Sequence, residues 1–368
     1  MEQKRVLHLI TTADLGGAEK QLSILTKLQI KSGFQVHVFS LKGKDTLKGE
    51  FEKNGSIFVS LCHLNWVEKI TFVRRYVKDK RIKVLHAHLP RAELVGILAL
   101  WRCHNTKNVI TRHNLEPFFP KFPAAGRILS RIVCDRVNSV ICISRAIEKY
   151  IIERREIRKR DIVKLHVVYY AHSGPSSLSI VKSKRGRSLG SDTFKIGTIA
   201  RLTYQKNIEV LIKACASIPK NFNWHLSIVG IGNKRQLLES LSLKLGVSER
   251  VHFHGTVIDT GIFLETLDVF VLPSRYEGFG LVLLEAMQAK KCIVASDAPA
   301  IPEVLGYDYE LLFKSNDYLD LQKQLLRSMS AKVRERTNQR NSKRLFEFDP
   351  AILSSKTSKI YCGVGEVK

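Results

Sequence analysis

Ser274-Arg275-Tyr276-Glu277-Gly278-Phe279-Gly280-Leu281-Val282-Leu283-Leu284-Glu285-Ala286-Met287 sets two carboxylates eight positions apart across a glycine-bracketed helix start. Glu277 falls on the turn after the apolar run Asp268 to Leu272, and the apolar spacing predicts a helix from about Gly280. The free N–H groups and positive dipole end of that helix face the loop, and such an end suits a phosphate. At 1.5 Å rise per residue, eight positions span roughly 12 Å. One carboxylate can then meet a polyol on each side of a diphosphate.

Working outward, short β-branched runs alternate with helix-period segments. Arg5 to Thr11, Gln35 to Leu41, Ile57 to Leu61, Lys83 to Leu89, Asn108 to Arg112 and Ser139 to Ile143 read as strands. Ala18 to Lys31, Arg91 to Cys103 and Arg145 to Glu156 read as helices. The second half repeats the pattern, with strands at Lys195 to Ile199, His225 to Val229, Val251 to His254, Val269 to Leu272 and Cys292 to Ala295. This alternation predicts an α/β chain of two doubly wound, Rossmann-like domains with parallel sheets. Small, polar and basic residues between Ala171 and Asp192 interrupt the pattern. They divide the chain into a domain over 1–171, a linker over 172–193 that carries the basic run Lys182 to Arg187, and a domain over 194–348. A tail over 349–368 is expected to return to the first domain.

Five elements in order carry a resemblance to glycosyltransferase family 4, a retaining family with the GT-B fold. They are Asp14 to Leu22 around Gly16 and Gly17; Ala200-Arg201-Leu202-Thr203-Tyr204-Gln205-Lys206-Asn207; Ile228-Val229-Gly230-Ile231-Gly232; Phe253-His254-Gly255-Thr256-Val257; and the Glu277 to Glu285 stretch itself, which resembles the family's E-x7-E element. The resemblance implies two domains facing across a cleft, with the acceptor on the N-terminal one and a nucleotide sugar on the C-terminal one. It implies a hexosyl or N-acetylhexosaminyl transferase of bacterial surface-glycan type, using a nucleoside diphosphate sugar, most simply a uridine one. The acceptor is then a glycan or lipid-linked glycan of a surface polysaccharide or lipopolysaccharide. A GT-B sugar-nucleotide epimerase shares the nucleotide clamp, but the E-x7-E helix argues against it. A basic nucleic-acid-binding or scaffold protein is the other alternative.

Site roles follow from the same resemblance. Glu285 accepts from the ribose hydroxyls, and Glu277 meets the transferred sugar near its 3- or 4-hydroxyl. Arg201 and Lys206 contact the two phosphates, while the main chain of Gly278, Phe279, Gly280 and Leu281, with Gly16 and Gly17, adds donors. Gly230 and Val257 belong to the nucleoside pocket, and His113 lines the junction of donor and acceptor. His113, Glu277, Arg201 and Lys206 are thus the catalytic candidates. Charge develops on the departing diphosphate, and two cations with a helix terminus can stabilise it, so no metal and no cofactor are expected. The plain alternatives are that Arg201 and Lys206 are exposed helix-start residues and that Glu285 faces solvent. Ala298-Pro299-Ala300 departs from the family's glycine-rich turn before Pro302-Glu303.

The composition bounds the rest. A chain of 368 residues with 44% apolar content has room for two cores. No run approaches the roughly 20 apolar residues of a membrane span, and neither a signal peptide nor an anchor is evident. Seven cysteines without C-x-x-C spacing suit reduced thiols in the cytoplasm. A net charge of +26 favours a polyanionic partner. The basic residues form no nucleic-acid module, so no nucleic acid is expected, and an anionic membrane surface fits better. The expected location is peripheral, at the inner face of the cytoplasmic membrane. Trp66 to Tyr76 can serve as an interfacial helix, and Pro117-Phe118-Phe119-Pro120-Lys121-Phe122-Pro123 as an aromatic loop; each can equally be core packing. His86 and His88 share one strand face; a metal pair fits the spacing but lacks a third ligand, and structure or substrate contact without metal is the plainer reading. Gly230-Ile231-Gly232 lacks the third glycine of a dinucleotide fingerprint.

Overall fold

The computed structural model of the protein describes residues 4–101, 103, 105–116, 118, 122–173, 193–257 and 259–363. The basic run Lys182 to Arg187 and most of the expected linker therefore lie outside the described residues. The chain divides into two compact units, Met1–Ala171 with Asp349–Lys368, and His172–Phe348.

In the first unit strands and helices alternate: β1 (Arg5–Thr12), α1 (Gly17–Lys31), β2 (Gln35–Lys42), α2 (Lys48–Lys53), β3 (Ile57–Ser60), α3 (Trp66–Asp79), β4 (Val84–His88), α4 (Pro90–Ala99), β5 (Lys107–Arg112), α5 (Pro123–Arg136), β6 (Ser139–Cys142), α6 (Arg145–Glu153) and β7 (Leu165–Val167). Among the described residues the sheet order is β3-β2-β1-β4-β5-β6-β7, and every pairing is parallel. Parallel neighbours need a crossover, which the helices supply, so both sheet faces are covered and the central strands become continuous apolar runs. Val6, Leu7, Leu9 and Ile10 of β1 are all fully buried.

The second unit runs β8 (Phe194–Ile199), α7 (Ile208–Ala216), β9 (Trp224–Val229), α8 (Arg235–Lys244), β10 (Val251–Gly255), α9 (Thr260–Glu265), β11 (Val269–Leu272), α10 (Leu281–Gln288), β12 (Cys292–Ser296), α11 (Ile301–Leu305), β13 (Leu312–Phe313), α12 (Tyr318–Ser328) and α13 (Ala331–Leu345). Its described strands are also all parallel, in the order β10-β9-β8-β11-β12-β13. The last helix, α14 (Pro350–Cys362), belongs to the first unit, where Leu353, Ile360 and Tyr361 join the core with Leu22 and Leu25 of α1.

Three local differences from the sequence reading have plain causes. β7 and β13 are too short, at three and two residues, to show a period. The helix expected to reach Glu156 stops at Glu153 because Arg155 takes a left-handed φ of 54°. The aromatic loop is not a uniform patch: Phe118 is buried with the Arg112 guanidinium over its ring, whereas Phe122 is exposed. The loop's other aromatic residue, Phe119, lies outside the described residues together with Pro117, Pro120 and Lys121.

Candidate active site

In each sheet the chain order reverses beside the first strand, at β1/β4 and at β8/β11. Loops leaving the carboxyl ends of such a pair diverge and open a crevice, the usual ligand position in an open α/β sheet. In the second unit these two loops are Ala200 to Asn207 and Pro273 to Gly280, the segments that carry the motif residues.

The loops are stitched together by four polar links. The Arg275 N–H donates to the Gln205 carbonyl at 2.8 Å, the Gln205 side-chain amide donates to the Tyr276 carbonyl at 3.0 Å, and the Arg275 guanidinium donates to the Tyr204 carbonyl at 2.5 Å. The fourth is an ion pair, Lys206 Nζ to Glu277 Oε1 at 2.5 Å. Ser274 Oγ donates to the same Glu277 oxygen at 2.7 Å, and the Ser274 carbonyl accepts from Ser296 of β12 at 2.6 Å. Glu277 is 5% exposed. Its carboxylate is held in one place by a cation and a hydroxyl from two elements.

Gly280 caps α10 with φ 91°, a conformation that favours glycine. The helix leaves that turn with Leu283, Leu284, Ala286 and Met287 buried and Leu281, Val282 and Glu285 on the partly exposed side. Phe279 departs from a ligand contact through its side chain: the ring is buried and packs edge-on against Phe348 at 5.6 Å, anchoring the turn. Arg201 is exposed, and no carboxylate among the described residues pairs with it. Val257 is half-buried in the loop after β10.

Gly230 has a packing reason. A Cβ there would stand 1.9 Å from the Ala200 carbonyl oxygen, and one at Gly232 would stand 2.3 Å from that of Leu202. The two glycines let the β9–α8 loop lie directly on the Arg201 loop, where Leu202 N–H donates to the Ile231 carbonyl at 2.9 Å. Ala300, in the turn that departs from the family pattern, holds a left-handed φ of 69° without being glycine. That conformation costs an L-residue roughly 1–2 kcal/mol.

Sequence reasoning did not single out Gln205 or Arg275, nor Glu209, which takes Lys234 at 2.6 Å and Arg275 at 3.4 Å. Burial alone would raise the Glu209 carboxyl, but the hydrogen bonds from Lys234 and Arg275 hold it below the usual range. Alternating cations and carboxylates near the motif were the only available signal.

In the first unit, Gly16 caps α1 and Gly17 begins it. A Cβ on Gly16 would meet Glu19 Oε2 at 2.3 Å, and Glu19 Oε1 accepts from Thr12 at 2.7 Å. His113 follows β5 and is half-buried beside His88, with Tyr170 bonded to its Nδ1. His8, His86 and His88 are buried with ligand atoms within 4.8 Å of one another, a spacing that a metal could use. Each of their ring nitrogens already has a protein partner. Burial pushes His8 down to about 4, and burial with the adjacent Arg112 pushes His113 down to about 3. His86 and His88 are also depressed, by burial first and then by neighbouring imidazoles. The arrangement is a neutral, fully bonded histidine cluster.

Arg112 anchors the end of β5 just before His113. It meets Glu93 Oε2 at 3.2 Å and Ser130 Oγ at 2.9 Å, and Ser130 donates to Glu156 at 2.7 Å. Burial pushes the Glu93 carboxyl up to about 7 against the pull of Arg112.

The chain matches known families along most of its length. The family model of the group 1 glycosyl transferases matches residues 181–345, and that of glycosyltransferase family 4 matches residues 15–171. An uncharacterized glycosyltransferase of Methanocaldococcus jannaschii is 40% identical over 126 residues, which is 33% of this chain and 32% of that protein. The capsular polysaccharide biosynthesis glycosyltransferase CapH of Staphylococcus aureus is 22% identical over 316 residues, 82% of this chain and 84% of that one. The structure of Anabaena HepE in complex with UDP superposes with a TM-score of 0.80 at 19% identity, covering 98% of this chain and 100% of HepE. Two glycosyltransferase family models in tandem, the N-terminal one that of family 4, on two parallel sheets of this order, make the chain a glycosyltransferase with the GT-B fold.

Proposed function

We propose that the protein transfers a hexosyl or N-acetylhexosaminyl unit from a nucleoside diphosphate sugar, a uridine one, to a glycan or lipid-linked acceptor of a surface polysaccharide or lipopolysaccharide, with retention at the anomeric carbon. The observation that carries this reading is the Lys206–Glu277 pair at the β8/β11 switch point, set against the start of α10. It brings a lysine, a carboxylate and a helix N-terminus together in one crevice, groups that suit a diphosphate and a sugar. CapH and HepE support the acceptor class and the uridine donor, since the first is named for capsule synthesis and the second was solved with UDP.

In this reading the roles are those that the family resemblance implies, and the geometry supports them as follows. Arg201, exposed and without a carboxylate partner among the described residues, and Lys206 take the diphosphate. Glu277, fixed by Lys206 and Ser274, orients the sugar. Glu285, on the partly exposed side of α10, accepts from the ribose hydroxyls. The anomeric C–O bond breaks toward the diphosphate and the acceptor oxygen bonds on the same face. Its proton passes to the leaving phosphate, so no enzymatic nucleophile is needed. His113 keeps the role that the family resemblance gives it, lining the junction of donor and acceptor.

Calorimetric titration with UDP, GDP and ADP, with and without magnesium, tests the clamp without an acceptor. Binding selective for UDP and insensitive to magnesium is expected. Glu285→Ala removes hydrogen bonding to a charged acceptor, worth about 1.5–3 kcal/mol in total if one bond dominates, and should weaken UDP roughly 10- to 100-fold with the fold retained. Unchanged affinity would refute the ribose assignment.

A further inference from the structure

Imidazoles in the first unit form an unbroken hydrogen-bonded chain. His113 Nε2 meets His88 Nδ1 at 3.4 Å, His88 Nε2 meets His8 Nδ1 at 3.1 Å, and His8 Nε2 meets Gln29 Oε1 at 2.8 Å. Tyr170 closes the outer end on His113 Nδ1. A branch leaves the same amide: Gln29 Nε2 to the Tyr361 hydroxyl at 3.3 Å, that hydroxyl to His86 Nδ1 at 2.6 Å, and His86 Nε2 to Thr111 Oγ1 at 2.6 Å.

A neutral imidazole carries one N–H, so each ring hands the direction of donation to the next. Two arrangements satisfy every link, one the reverse of the other, and the phenols break the tie. A phenol, with a pKa near 10, is a better donor than an aliphatic hydroxyl, and a bare imidazole nitrogen is a good acceptor. Tyr361 therefore donates to His86 Nδ1, which leaves the His86 Nε2–H for Thr111. The Tyr361 oxygen then accepts from Gln29 Nε2, and this turns Gln29 Oε1 toward His8. His8, His88 and His113 each carry their proton on Nε2. From the other end, donation by Tyr170 to His113 Nδ1 imposes the same direction.

We infer that Gln29 and Tyr170, acting from the two ends of this chain through His8 and His88, are positioning residues that hold His113 as the neutral Nε2–H tautomer. Both ring nitrogens of His113 are then committed inside the unit, and it serves the junction by position and not as a proton acceptor. This rests on the placing of His113 at that junction in the reading above. Burial and the neighbouring Arg112 guanidinium agree with a neutral ring, because a proton added to it would be a buried charge without a counter-ion.

Histidine-selective ¹⁵N labelling of the full chain leaves twelve imidazoles to assign, and long-range ¹H–¹⁵N spectra report which nitrogen of each is protonated. His8, His88 and His113 are expected to show a protonated Nε2 and a bare Nδ1 at pH 7; a protonated Nδ1 on His113 overturns the inference, and the wild-type chain alone decides this. Gln29→Met or Tyr170→Phe leaves one end pinned and should keep the His113 tautomer. The double variant should show a mixture, with kcat lowered about tenfold, the worth of one lost link, at unchanged donor KM; a single tautomer in the double variant again overturns it. His113→Ala probes the reading beneath. Wild-type transfer by that variant, with the tautomer as stated, removes His113 from the junction and leaves the wiring.

Discussion

At Arg112 one side chain holds two buried carboxylates, directly at Glu93 and through Ser130 at Glu156. Removing one partner of a buried ion pair leaves an uncompensated charge, typically at a cost of about 3–5 kcal/mol. Arg112→Ala is therefore expected to lower unfolding free energy by that order, read from urea denaturation of the full chain; a loss under about 1 kcal/mol would show that Glu93 is already neutral. Its raised pKa of about 7 makes this comparison informative. Glu277 and Glu285 stood out as candidates in the sequence because their spacing is local to one turn and one helix, and Arg201 and Lys206 because theirs is local to a single loop. Gln205 and Arg275 did not, because their partners lie about 70 positions away and only the β8/β11 pairing brings them together.

Among elements, β1, β4 and β5 carry the histidine cluster on one sheet face, with His8 in register with His86. The folded pKa values of His8 and His113, about 4 and 3, lie below the ordinary 6.5, and those of His86 and His88 are also depressed. Between pH 6.5 and 4 the unfolded chain thus binds protons that the folded chain does not, and stability falls as pH falls. Glu93 acts in the opposite direction between its unfolded value of 4.5 and about 7. In this cluster four histidines against one carboxyl contribute an uptake of about three protons on unfolding, a fall on the order of 4 kcal/mol per pH unit near pH 5, and the depressed His37, His225 and His254 act in the same direction. Urea midpoints measured from pH 7 to pH 5 check this, and a midpoint that does not move would contradict a neutral cluster. His86 and His88 were visible as a pair on one strand; His8 and Gln29 joined them only through strand order and the α1 crossover.

For the whole molecule, the charge of +26 is a statement about partners and not about fold. No helix among the described residues is long and apolar enough to cross a membrane. α3 instead exposes Trp66, Val67 and Phe72 beside Arg75 and Lys78, while Val73 and Val77 face the core. We propose an anionic membrane surface as a partner of this face, since each cation near such a surface contributes about 1 kcal/mol. Cosedimentation with liposomes should rise with acidic lipid and fall with salt; binding unchanged by acidic lipid would sink the idea. By itself the sequence determined the two parallel α/β sheets, because alternating strand and helix periods leave a parallel crossover as the way to bury both, and it determined the local Glu277 to Glu285 element. Only the tertiary structure decided which loops share a crevice, that Lys206 fixes Glu277, and that Tyr361, from the last helix, orients the Gln29 amide. Those contacts join residues far apart in the chain, and strand order, which no local period encodes, sets them.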